Sequence, residues 1–184
     1  MRMRNQSEGY GLVTKLLHWA TVAALAAQFA VGYALTGADD LIEPLAERWL
    51  GGEDNLLLVH VALGVGVLAL AALRLLWRAG TPLPEWAEGL SPTERRVAHV
   101  VERLLYATLV LIPLTGLALV LASGEDWDLG NREWVAPFEL ADDDVLLGAH
   151  IATHLAFFAA LAVHVGLVLK HQLVDRDGLL GRML

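Results

Sequence analysis

Residues 145–169 read VLLGAHIATHLAFFAALAVHVGLVL, an apolar run that contains three histidines and no charged residue. About 20 residues at 1.5 Å each cross the hydrocarbon core of a bilayer, so this run predicts a transmembrane helix. Three further runs, at residues 16–35, 56–77 and 104–122, are also long and apolar. None of the four alternates as a strand does, and the chain is therefore predicted to be an all-α integral membrane protein.

The four runs leave room for little else, so residues 1–184 are predicted to form a single domain, an antiparallel bundle of four transmembrane helices. The spans are placed at about residues 14–36, 56–78, 99–122 and 145–172. Ahead of the third span, SPTE at 91–94 predicts a helix start, with Ser91 as N-cap. The chain has no cysteine, which excludes disulfides, iron–sulfur clusters and c-type haem attachment.

The charges predict how the bundle lies in the membrane. With the N-terminus in the cytoplasm, eleven of the 13 Lys and Arg residues fall on the cytoplasmic side, and only Arg48 and Arg132 fall outside. The two outer loops, residues 36–55 and 123–144, carry 14 of the 21 acidic residues. This asymmetry predicts a membrane protein with both termini in the cytoplasm.

Four of the seven histidines fall into two pairs by depth. His18, near the start of the first span, and His164, late in the fourth, are both expected near the cytoplasmic side. His60, early in the second span, and His150, early in the fourth, are both expected near the periplasmic side. The chain thus places two imidazoles at each of two depths.

The spacing in the fourth helix puts the two levels on one face. His150 and His164 are 14 residues apart, a rise of roughly 21 Å and within about 40° of four full turns. Such a face suits two planar cofactors stacked in a four-helix bundle, and iron-protoporphyrin takes one axial nitrogen from each of two histidines. The prediction is two stacked b-type haems, ligated by His60 with His150 and by His18 with His164.

Other assignments were weighed for these histidines. A lone intramembrane histidine often bonds across helices or serves a proton path, and neither reading explains four that match in depth and face. His154, one turn from His150, competes as the outer ligand, but its angle of about 80° from His164 favours His150. His99 and His171, at cytoplasmic helix ends, are not expected to be ligands.

With this pattern in view, the chain resembles the prokaryotic cytochrome b561 family, which is related to the cytochrome b subunits of nickel–iron hydrogenases. The likeness rests on KLLHWA at 15–20, VHVALGVGVLALAALRLLWR at 59–78, AHVVERLLYATLVLIPLTGLAL at 98–119, and GAHIATHLAFFAALAVHVGLVLKHQLVDRDGLLGRML at 148–184. Carried over by position, the family's haem ligands fall on His18, His60, His150 and His164. Glu102 departs from the family, which often has a histidine there.

The resemblance implies a protein of the bacterial inner membrane that transfers single electrons across it, linked to the quinone pool and with ubiquinone as exchange partner. Arg74, Lys15 and Arg78 are expected near the propionates of the inner haem. One alternative is a superoxide oxidase that passes electrons to ubiquinone, although acidic outer loops should repel an anion. Another is a haem-b anchor subunit that takes electrons from a periplasmic redox protein. Lipid is an expected partner and nucleic acid is not.

Overall fold

The computed structural model describes residues 2–7, 9–35, 48, 54–86, 89–130 and 132–184. Within them the predicted four-helix architecture is confirmed. The helices are α1 (Leu12–Ala34), α2 (Asp54–Ala79), α3 (Pro92–Ala122) and α4 (Asp143–Lys170). All four are long and apolar enough to cross a membrane. The end of the bundle that carries both chain termini is called the terminal end below, and the opposite end is called the hairpin end.

The start of α3 follows the predicted signal. The Ser91 side chain accepts from the Glu94 amide at 3.3 Å, and the Glu94 carboxylate accepts from the Ser91 amide at 2.9 Å, which is a complete capping box. Pro92 occupies the first helical position. Further along, Pro113 lies inside α3 and is buried. A packed bundle tolerates a proline within a membrane helix because neighbouring groups satisfy the backbone carbonyl that the proline leaves free.

Helix α1 packs mainly on α2, and α3 mainly on α4, with α2 and α3 joining the two halves. Val67, Ala71 and Leu109 form a buried cluster at this junction. Large apolar side chains such as Leu76 and Leu155 are instead exposed on the outside of the bundle. That surface is what a helix bundle in lipid presents, because the hydrocarbon is as apolar as the side chains.

The hairpin end contains an element that the sequence pattern did not predict. Strands β1 (Asp126–Asp128) and β2 (Glu133–Val135) pair antiparallel, with Trp127 opposite Trp134. Cross-strand aromatic pairs stabilise such ribbons, but two three-residue strands are too short to show a period. In the other outer loop, the structure describes only Arg48 between residues 36 and 53, so the predictions for that acidic segment lie outside the described residues.

The C-terminal tail folds back over the terminal end. After α4 come a π-helical turn (His171–Asp175) and a 3-10 turn (Leu179–Arg182), separated by Arg176 in the left-handed conformation (φ 55°). The Trp19 indole donates to the Met183 carbonyl at 3.0 Å, and the Lys15 ammonium donates to the Leu184 carbonyl oxygen. These contacts attach the tail to the first turns of α1, next to His18.

Candidate functional site

The hairpin-end pair consists of His60 and His150. Helix α2 presents His60 in its second turn and α4 presents His150 in its second turn, so both rings lie close to the hairpin end. Their ring centroids are 6.4 Å apart and their planes are nearly perpendicular, at 89°. His150 is buried, at 8% exposure, and His60 is half-buried.

The terminal-end pair consists of His18 and His164. Their ring centroids are also 6.4 Å apart, with an angle of 54° between the planes. The edge of Trp19 approaches His18 at 5.3 Å between centroids. The chain thus brings together the four histidines that the sequence singled out, in the two combinations expected from depth, with α4 contributing one member to each.

His60 rests in a cradle that α1 provides. The Gln28 amide nitrogen lies 3.2 Å from both ring nitrogens of His60. One turn further, a Cβ at Gly32 would come within 2.7 Å of the ring carbon Cε1. Only glycine lets the helix backbone approach this ring, so Gln28 and Gly32 together set its position.

His150 rests in a similar cradle on α3. Its Nδ1 is 2.9 Å from the Thr115 hydroxyl oxygen, and a Cβ at Gly116 would lie 3.0 Å from Cε1. The Thr115 hydroxyl also lies 2.9 Å from the Leu111 and Ile112 carbonyl oxygens of its own helix. When the hydroxyl donates to one of these carbonyls, its lone pair can accept from the Nδ1–H of His150, and Nε2 of that ring is then available as a ligand.

Glycine inside an apolar span allows close approach of a backbone or a flat ligand, which the sequence predicts for Gly64, Gly66, Gly116 and Gly166. Of the four cradle residues, Gly116 alone is in this set. Gln28, Gly32 and Thr115 were missed. The signal that could have revealed them is a polar side chain next to, or one turn from, a glycine inside an otherwise apolar helix. Gly66 and Gly166, which were also proposed to allow close approach, face open space.

His154 lies beside the hairpin-end pair without joining its facing arrangement. Its ring contacts His150, with centroids 4.4 Å apart, and the Phe29 ring, at 5.2 Å. Phe29 in turn stacks on Phe157 and Phe158. His154 is therefore held in an aromatic cluster of α1 and α4, whereas His60 faces His150.

The basic residues expected near the inner haem have different partners. Arg78 forms a salt bridge with Glu102 at 3.2 Å, and Lys15 contacts the Leu184 carbonyl oxygen. The Arg74 guanidinium lies 5.4 Å from the centre of the Tyr106 ring, a cation–π contact. Within the described part of the chain, Arg74 is the one of these three cations without a carboxylate or carbonyl partner.

The two remaining histidines belong to polar networks at the terminal end. His99 Nδ1 is 3.9 Å from the Glu102 carboxylate, and its ring meets the edge of Trp86. His171 is 2% exposed, and its Nδ1 bonds the Asp177 carboxylate at 2.6 Å. His171 also lies beside Glu94 and Asp175, a set that could attract a cation, but the Lys170 ammonium already bridges both carboxylates at 2.8 and 2.6 Å.

Asp177 makes the attachment of the tail sensitive to acid. Burial raises the pKa of Asp177, but hydrogen bonds from the Leu179 amide and the His171 ring outweigh this and hold the pKa below its usual value. A lowered folded-state pKa stabilises the tail above the unfolded value of about 3.9, and the stabilisation is lost as the pH falls through the folded value. Pepsin is thus expected to cleave the tail increasingly quickly below about pH 4.

Asp177→Asn should make the tail sensitive to pepsin already near pH 5, because the neutral amide cannot replace the carboxylate. Asp126→Asn, in the exposed strand β1, is the matched control and should leave cleavage of the tail unchanged. Equal cleavage in the wild type and in Asp177→Asn at every pH would contradict this role for Asp177.

The fold and the paired histidines define the class of the protein, a four-helix membrane protein that carries matched imidazoles at two depths. The model of the prokaryotic cytochrome b561 family matches residues 9–184, and the chain belongs to this family of membrane haem proteins. Membership places the protein among haem-b-binding components of electron transport.

Several individual proteins are similar over much of the chain. Cytochrome b561 homolog 2 of Escherichia coli is 27% identical, covering 100% of this chain and 95% of that protein. Cytochrome b562 of Cereibacter sphaeroides is 28% identical, covering 97% of each. A probable superoxide oxidase of Yersinia pestis is 26% identical, covering 69% of this chain and 73% of that protein.

Proposed function

We propose that the protein holds two b-type haems, one between His60 and His150 and one between His18 and His164, and carries single electrons across the membrane. The observation that supports this most is the 6.4 Å between ring centroids in both pairs. A metal–nitrogen bond of about 2 Å and a ring radius of about 1.2 Å put two imidazoles on opposite sides of one metal ion roughly 6.4 Å apart. Both pairs have this separation.

The surroundings of the pairs also fit haem. Thr115 occupies Nδ1 of His150 and leaves Nε2 for the iron, as hydrogen bonds behind a ligating histidine usually do. Within the described part of the chain, the cluster of three groups able to hold a metal ion without haem is Glu94, His171 and Asp175, at the terminal end. Two imidazoles at each depth are the donor set of a six-coordinate haem.

Haem with both axial positions filled supplies reversible one-electron redox chemistry and has no open coordination site for a substrate. The chain's contribution is then to fix the depth of each site, exclude water and set the local charge. Among the basic residues, Arg74 is the one we assign to the propionates of the terminal-end haem, with Lys15 and Arg78 as weaker contributors because other partners engage them.

We further propose that the protein lies in the bacterial inner membrane with its terminal end in the cytoplasm and that it exchanges electrons with the quinone pool. The charge distribution of the sequence supports this orientation, since eleven of the 13 Lys and Arg residues belong to segments predicted on the cytoplasmic side and 14 of the 21 acidic residues to the two predicted outer loops. The family supports membrane electron transport. Two sites at two depths provide a path between the two faces.

The direct test is a reduced-minus-oxidised spectrum of the purified protein, with haem measured as the pyridine haemochrome against protein. Two b-type haems per chain, both reducible by a ubiquinol analogue, are the expected result. A protein purified in detergent without haem would overturn the proposal. Haem that dithionite reduces but a quinol does not would overturn the link to quinone alone.

The superoxide-oxidase alternative has one specific observation in its favour, the similarity to a probable superoxide oxidase of Yersinia pestis. In that reaction two superoxide ions each lose one electron to become O₂, and the two electrons with two protons reduce a quinone to a quinol. The acidic outer loops oppose it by repelling the anion. Haem reduction by enzymatically generated superoxide, abolished by superoxide dismutase, would support this activity, and its absence would remove it.

A further inference from the structure

The turn that follows α4 carries an arginine in a backbone conformation that arginine rarely adopts. Arg176 has φ 55° and ψ 36°, in the left-handed region, at the C-terminal cap of the π-helical turn. Cap positions of this kind usually hold glycine, because a Cβ is sterically unfavourable there. The protein therefore keeps a long cationic side chain at a position where the backbone alone would favour glycine, and such strain is typical of binding sites.

The Arg176 side chain lines a surface cavity. The cavity has a volume of about 390 Å³, and Gln172, Leu173 and Gly178 complete its lining. Gly178 keeps it open, because nothing lies within 4 Å of the Cβ that another residue would place there. Within the described part of the chain, neither the Arg176 guanidinium nor the Gln172 amide has a hydrogen-bond or ion-pair partner. Both groups can donate hydrogen bonds to an anion in the cavity.

The two carboxylates next to Arg176 in the sequence are already engaged by other groups. Asp175 accepts from the Lys170 ammonium at 2.6 Å. Asp177 bonds the His171 ring at the same distance of 2.6 Å. Each carboxylate is thus satisfied by a cation or a hydrogen-bond donor of its own, and the charge of Arg176 is left for an anion from outside the chain.

The cavity lies where the chain leaves the membrane. The uncharged run 145–169 rises by roughly 37 Å, enough to cross a hydrocarbon core of about 30 Å, so Lys170 marks the membrane surface. Arg176 follows within two turns. Leu173 and Val174, in the turn between them, are 65% and 72% exposed. A cation beside exposed apolar side chains at this depth suits a phospholipid, whose phosphate and acyl chains lie side by side.

We propose that this cavity binds the phosphate of an anionic phospholipid from the membrane leaflet at the terminal end. Arg176 pairs with the phosphate, and Gln172 donates a second hydrogen bond to it. The acyl chains lie along Leu173 and Val174. A zwitterionic lipid carries its own cation, which weakens its attraction to an arginine, so the site selects anionic lipids. The site does not depend on haem ligation and goes beyond the proposed electron transfer.

The test is native mass spectrometry of the purified protein in detergent, titrated with phosphatidylglycerol or with phosphatidylcholine of the same acyl chains. We expect one phosphatidylglycerol to bind selectively and Arg176→Gln to weaken its binding about fivefold, which corresponds to about 1 kcal/mol for one basic residue at a membrane surface. Arg96→Gln is the matched control, because Arg96 is an exposed arginine near the start of α3 at the same end and does not line the cavity. It should bind phosphatidylglycerol as the wild type does. An equal loss in both variants, or no loss in Arg176→Gln, would overturn the proposal.

Arg176→Gly separates a binding role from a structural one. Glycine adopts φ 55° more readily than arginine, so the tail of this variant should resist pepsin at pH 5 about as well as that of the wild type. Its affinity for phosphatidylglycerol should still fall as in Arg176→Gln. A pepsin-sensitive tail in Arg176→Gly would assign the arginine to the fold and overturn the proposal. Equal binding of the two lipids by the wild type, or displacement of the lipid by an equimolar amount of inorganic phosphate, would also overturn it.

Discussion

Replacement of His150 by alanine is expected to lower the haem content from about two per chain to about one. Its ring faces His60 at 6.4 Å between centroids, and its Nδ1 is committed to Thr115. An iron that loses one of its two imidazoles is left with an open position and a single protein ligand. The pyridine haemochrome, measured against protein concentration, gives the ratio directly.

His154→Ala is the control for this substitution, because it removes a neighbouring imidazole from the same helix. The His154 ring packs on Phe29 and does not face His60, so the variant should keep both haems and lose only some stability. The reverse result, haem lost in His154→Ala and retained in His150→Ala, would transfer the ligand role to His154. Retention of both haems in both variants would refute ligation from this part of α4.

Gly32→Val is expected to remove the hairpin-end haem as completely as loss of a ligand does. A Cβ on residue 32 would come within 2.7 Å of Cε1 and 3.1 Å of Nδ1 of His60. A free imidazole could swing away, but a ring held by iron on one side cannot, so either α1 or the ligand must move. The readout is haem content together with the redox wave assigned to the hairpin end.

Gly66→Ala on α2 tests whether any added methyl group in the bundle has this effect. Nothing lies within 4 Å of the Cβ it would introduce, and both haems should be retained. Comparable elution of the two variants in size-exclusion chromatography shows that the bundle has folded. Full haem content in Gly32→Val would mean that His60 does not rest against α1 when the cofactor is bound.

The fold and the pairing of the histidines could be predicted because both follow from one-dimensional patterns. A run such as 145–169 has few alternatives to a membrane helix, and alternating helix directions convert sequence position into depth. Two residues 14 apart on a helix necessarily share a face within a few tens of degrees. The start of α3 at Ser91 could be predicted for the same reason, because the capping box is a local pattern of residues only three apart.

What could not be predicted depends on contacts between helices. The roles of Gln28 and Thr115 arise from which helix faces His60 and which faces His150, and no periodicity within α1 or α3 specifies that. The short strands around Trp127 and Trp134 and the network of His171 with Asp177 have the same origin. The choice of His150 over His154 as a ligand rests on the helix angle and stays a prediction, with which the contact of His154 with Phe29 agrees.

Both histidine pairs take one member from α4, and this has a consequence for biosynthesis. While the first three helices are inserted, the nascent bundle contains His18 and His60 but neither of their partners. No complete pair exists until the last helix has entered the membrane. On the proposed ligation, cofactor delivery is thus confined to a late stage of assembly, and a ribosome that stalls before residue 150 leaves a fragment with only one member of each pair.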